Sequence, residues 1–112
     1  MIRPTDFEVT HKLDGQALTV AIKGELDMST VATLSERLDS QLGGEVTLVT
    51  VDLRDVTFMD SSALRLLIEL NDRSQAEPWR LALVAPKTEA ARVILRITGA
   101  DNALPFQSSD DR

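Results

Sequence analysis

The sequence predicts an α/β domain: a small mixed β-sheet, made of a front hairpin plus parallel strands, with helices mainly on one face. Three observations predict it. Two runs that alternate apolar and polar residues flank Asp14-Gly15, a strong short hairpin signal. Behind them, stretches rich in Val and Leu take turns with stretches whose apolar residues recur every three or four positions. The connections are short, which calls for parallel strands joined by right-handed crossovers.

Each element has its own reason. Phe7-Glu8-Val9-Thr10-His11 has the two-residue period of a half-buried strand, and residues 17–22 repeat it before stopping at Gly24. Asp27, Ser29 and Thr30 offer capping oxygens to a first helix carrying Val31, Leu34, Leu38 and Leu42 at helical spacing. Gly43-Gly44 ends it as a left-handed cap. Residues 46–53 are rich in β-branched side chains and read as a strand covered on at least one face. After a short turn, Phe58-Met59-Asp60-Ser61-Ser62 leads into a second helix with Ala63, Leu66, Leu67 and Leu70 on one face, widened by Leu64. Pro78 closes the polar loop that follows. Residues 80–85 form another buried strand, stopped by Pro86. Thr88 caps a third helix with Ala90, Val93, Ile94 and Ile97 on one side, ended by Thr98-Gly99. Leu104-Pro105-Phe106 adds a short edge strand, where a proline is tolerated. Residues 108–112 read as a polar, frayed tail.

Composition narrows the function. The 112 residues form one domain, 1–112, large enough to bury roughly 65 % of its unfolded surface without staples. With no cysteine, disulfides and cysteine–zinc sites are excluded. Eighteen acids against 12 bases give a formal net charge of −6, which argues against nucleic-acid backbones and anionic membranes. The longest apolar run, residues 81–85, is far short of the ~20 residues of a membrane span. The first six residues have no apolar signal core, so a cytoplasmic domain is expected.

Catalysis finds little to work with. His11 stands alone in the first strand, so neither a Ser-His-Asp arrangement nor a metal site is expected. No Gly-rich phosphate loop is present, and three Phe with one Trp are too few for base stacking. What remains is Asp60-Ser61-Ser62, between the end of a buried strand and the start of an amphipathic helix, where α/β sheets meet ligands and partners. Locally it reads as a helix cap, worth ~1 kcal/mol, although three capping-type residues exceed what one helix end needs. A phosphoryl group there would carry about −1.5 to −2 charges and sit at the positive end of the helix dipole. Pressed against a partner without matching cations, such a dianion costs several kcal/mol. About 5.5 kcal/mol of differential affinity turns a 99:1 population into 1:99, so one phosphate can act as a switch.

The same residues resemble a known family. Gly24-Glu25-Leu26-Asp27 followed by Thr30 is similar to the Gly-x-Leu-Asp loop of STAS domains. The stretch from Leu53 through Phe58-Met59-Asp60-Ser61-Ser62-Ala63-Leu64 closely resembles their phosphorylation loop, and Ile97-Thr98-Gly99-Ala100 resembles a later turn. The likeness covers nearly the whole chain in order, and the middle motif is the specific one. It implies an anti-sigma factor antagonist rather than an enzyme. In such proteins the second serine, here Ser62, is phosphorylated by an anti-sigma factor serine kinase that holds ATP and Mg²⁺. The unphosphorylated form binds that kinase and frees a sigma factor, and a serine phosphatase restores it. By the same resemblance Asp27, Thr30, Asp60, Ser61, Ser62 and Ala63 line the partner-binding surface, and the protein itself needs no cofactor. Asp27 and Asp60 read equally as helix caps, and Phe58 and Met59 as core or loop anchors. Glu69, Asp72 and Arg73 read as a solvated helix face.

Two departures from the family pattern bear on this. Ala63 replaces the usual glycine, and alanine favours helix by about 1 kcal/mol, so it is expected to extend the helix toward Ser62. The chain also ends soon after Phe106, where many relatives carry another helix. The rival reading is an accessory subunit of a lipid-transporting ABC complex, in which the same loop would contact an ATPase without being phosphorylated.

Overall fold

The computed structural model of the protein describes residues 7–107. Strand β1 (Glu8–Asp14) and β2 (Ala17–Leu26) are followed by α1 (Val31–Gln41), β3 (Leu48–Met59), α2 (Ser61–Ala76), β4 (Arg80–Val84), α3 (Glu89–Thr98) and the single turn α4 (Ala100–Ala103). The sheet order is β1-β2-β3-β4. β1 runs antiparallel to β2, and β2–β3 and β3–β4 are parallel. This is the expected mixed sheet with its front hairpin.

The hairpin closes on Gly15, whose φ of 65° followed by a negative φ at Gln16 suits the tight turn that a right-twisted ribbon favours. One face of the sheet is sealed. Leu18, Val20, Ile22, Leu26, Val49, Val51, Leu53, Val56, Leu81 and Leu83 are all buried, as period-two alternation demands. They form one core with Leu34 and Leu38 of α1 and with Ala63, Leu66, Leu67 and Leu70 of α2. The α2 stripe is the one the sequence predicts. The opposite face, with Thr19, Thr50, Asp52 and Val84, stays half-open.

Several boundaries differ from expectation. Strand β2 does not stop at Gly24: that glycine takes φ 103° and carries the chain through a register shift to Leu26. Strand β3 absorbs the expected turn and runs to Met59, with irregularities against β2 after Asp52 and after Val56. These two extra residues let β3 bend and still end level with β2. Val46 is buried, but the strand proper begins at Leu48. Helix α1 ends on Leu42 in an extended conformation, before the turn through Gly43 and Gly44. Its N-cap Thr30 makes no side-chain cap bond, because its hydroxyl is used elsewhere.

Helix α3 is rotated from the expected face. Ala91 and Leu95 are buried, whereas Val93 is 37 % and Ile97 74 % exposed. Thr88 does cap it, accepting from Ala91 N (3.3 Å), and its hydroxyl lies 3.3 Å from Val56 O. Where an edge strand was expected at residues 104–106, α4 is followed by one parallel bridge, Phe106 to Leu83. The tail 108–112 lies outside the described residues. Asp39 and Arg73 join α1 to α2 at 2.8 Å, but both are well exposed, so the pair contributes little. Among the described residues no helix is long and apolar enough to cross a membrane.

Candidate functional site

Leu26 pairs with Met59, so β2 and β3 finish side by side. The chain leaving β2 enters residues 27–30 and the chain leaving β3 enters residues 60–62. The register of two strands thus brings together Asp27, Thr30, Asp60, Ser61 and Ser62, five of the residues the sequence singles out.

The first loop holds itself. Asp27 Oδ1 accepts from Ser29 N (3.0 Å) and Ser29 Oγ (2.7 Å). The Ser29 hydroxyl, more than any other group, lowers the Asp27 carboxyl below its ordinary value of 3.8. Thr30 Oγ1 donates to Glu25 O (2.9 Å) and accepts from Asp27 N (2.9 Å), which pins the loop back onto the end of β2. Met28 at the tip is 76 % exposed.

The second loop is a helix start. Asp60 is the N-cap of α2, and its Oδ1 accepts from Ser62 N (2.9 Å) and Ala63 N (3.3 Å). The capping reading of Asp60 is therefore correct. The helix reaches back through both serines, as alanine at position 63 favours. A phosphoryl group on Ser62 would still feel the helix field, yet the two nearest amides already serve Asp60. Replacing Asp60 with alanine is expected to cost ~1 kcal/mol, read as a lowered urea midpoint with an unchanged slope.

Exposure sorts the serines. Ser61 is exposed and Ser62 half-buried, and among the described residues neither hydroxyl makes a hydrogen bond. The fold leaves both oxygens unused. Ala63, counted in the partner surface by the sequence reading, is fully buried. Its methyl packs into the core, so it shapes the surface without forming part of it. Phe58 corrects another expectation. Met59 is buried but Phe58 is 40 % exposed, because adjacent strand residues point to opposite faces. The sequence reading does not mark Met28 or Phe58 as surface anchors, although continuing the alternation back from Met59 marks Phe58.

The STAS domain family model matches residues 8–111. The chain belongs to the STAS domain family. A STAS-domain containing protein of Pseudomonas aeruginosa is 30 % identical over 81 residues, covering 72 % of this chain and 79 % of the relative. The fold of this STAS domain is shared with an anti-sigma factor antagonist from Mycobacterium paratuberculosis, at TM-score 0.80 and 22 % identity over 99 % of this chain and 93 % of that one. It is shared too with the anti-sigma factor antagonist SpoIIAA in its unphosphorylated form, at TM-score 0.69 and 20 % identity over 94 % and 90 %.

Proposed function

We propose that this STAS domain is an anti-sigma factor antagonist, a binding protein whose partner is an anti-sigma factor serine kinase and whose switch is phosphorylation of Ser62. The observation that carries the reading is an unengaged hydroxyl in the first turn of α2, flanked by the Asp27 and Asp60 loops. Among the described residues no group of the fold holds its oxygen, which is left available.

The surroundings fit a protein partner. Asp27 and Asp60 make the surface acidic, in keeping with the net charge of −6, so a further negative charge at Ser62 stands among like charges. Exposed Met28 and Phe58 offer the kind of apolar anchors that centre protein interfaces. The domain would bring only the acceptor. Ser62 Oγ would bond to the γ-phosphorus of ATP held with Mg²⁺ on the kinase. The bond to the ADP oxygen would break, and the hydroxyl proton would pass to a base of the kinase. A serine phosphatase would reverse the change. The work then belongs in the cytoplasm, beside the transcription machinery.

The test is phosphate mapping. Incubated with an anti-sigma factor serine kinase from the same cell and ATP–Mg²⁺, the protein should gain one phosphoryl group, located by tandem mass spectrometry on Ser62. Ser62→Ala should gain none. Modification confined to another residue, or no modification, overturns the switch.

A further inference from the structure

The two edges of the sheet are finished differently. Beyond β4, Leu83 N donates to Pro105 O (3.0 Å) and Gln107 N donates to Leu83 O (2.8 Å), so residues 104–107 cover that side. Beyond β1, no strand of the described residues follows. The phase of this outer edge follows from the hairpin. With Gly15-Gln16 as a two-residue turn, Asp14 and Ala17 exchange both backbone bonds, and Lys12–Thr19, Thr10–Ala21 and Glu8–Lys23 repeat the pattern. Val9, His11 and Leu13 therefore aim their N–H and C=O groups away from β2. Arg37 marks the same thing independently: its Nη1 comes from α1 to donate to Val9 O at 2.9 Å.

We propose that this edge pairs with β1 of a second copy, antiparallel about a two-fold axis, with Thr10 opposite Thr10. Self-pairing must set residues of equal phase against each other, so the axis falls on one residue. Centring on His11 aligns all of β1 but places Glu8 against Asp14 twice. Centring on Lys12 opposes two ammonium groups, and centring on Val9 aligns only residues 8–10 of the strands. Centring on Thr10 places Glu8 of each copy opposite Lys12 of the other. Two opposite-charge pairs then flank the Thr10 pair on the open face of the sheet. On the other face Val9 meets His11, and Leu13, 55 % exposed in the single chain, meets half-buried Phe7. The Val9 carbonyl has a second lone pair, so it can accept from His11 N of the other copy while keeping Arg37. The charge pattern of β1 is thus complementary to itself in one register, and the product is a continuous eight-stranded sheet.

An edge-to-edge contact is small, so the dimer is weak and concentration-dependent. Sedimentation velocity on the full chain, up to about 1 mM, reads it directly. The wild type should move from monomer to dimer across that range. Lys12→Glu, which faces Thr19 within its own sheet, turns both charge pairs repulsive and should raise the dissociation constant at least tenfold. Glu8→Lys should do the same. An equimolar mixture of the two variants restores both pairs, so it should associate where neither variant does alone. Thermal melts of each variant confirm that it is folded. A wild type that stays monomeric, a dimer indifferent to Lys12→Glu, or a mixture that does not associate overturns the proposal.

Discussion

Replacing Ser62 with glutamate is expected to weaken binding to the anti-sigma factor kinase about 100-fold or more, ~3 kcal/mol, while Ser62→Ala binds nearly as the wild type does. The asymmetry follows from the site. Ser62 lies in the first turn of α2, where a carboxylate is favourable to the helix itself. The free protein therefore stays folded with the substitution, and melting temperature and far-ultraviolet dichroism should barely move. The penalty arises only when the surface is covered. An anion beside Asp60 and Asp27 must then be desolvated among like charges. Titration calorimetry with the two variants separates these cases. Equal affinity for Ser62→Glu and wild type would remove the charge switch, and equal loss for alanine and glutamate would point to a steric or hydroxyl contact instead.

The second large effect is on the fold that presents the serine. Leu67 is fully buried on the inner face of α2, beneath the sheet's sealed side. Leu67→Ala is expected to destabilise the domain by ~3 kcal/mol, from lost burial plus the residual cavity. For a domain of this size that lowers the melting temperature by roughly 10–20 °C. The exposed neighbour Ile68 is the control: at 43 % exposure, Ile68→Ala should change stability by less than ~1 kcal/mol. Chemical denaturation of both variants checks the contrast.

What the sequence discloses follows physical rules, and so does what it hides. Ala63, Leu66, Leu67 and Leu70 are legible because α2 is apolar on one side and polar on the other, so only one orientation buries the stripe. Helix α3 is not legible in this way. Ala90, Ala91, Val93, Ile94, Leu95 and Ile97 cover more than half its circumference, and periodicity alone cannot choose among the faces. Packing chooses Ala91 and Leu95, leaving Ile97 outside. Strand β3 outran its expected end because Arg54, Asp55 and Thr57 look like a turn, whereas irregularities in pairing let a polar stretch continue a strand. Within the site, Asp60 as cap and the placement of the serines at a strand-to-helix boundary were readable from residue type and order. The closeness of the Asp27 loop was not, since it depends on the register that sets Leu26 beside Met59. Ala63 carries two readings in the sequence, one on the apolar stripe and one in the partner surface, and packing decides for the stripe.

The seat at the head of α2 is already taken by the carboxylate of Asp60. A phosphate on Ser62 would therefore not have the Ser62 and Ala63 amides as partners. Written marks that lock into a structure are slow to erase. This one would lack that latch at the helix start, so the lifetime of the off state would lean on the balance of two enzymes more than on any unlatching of the protein that carries it.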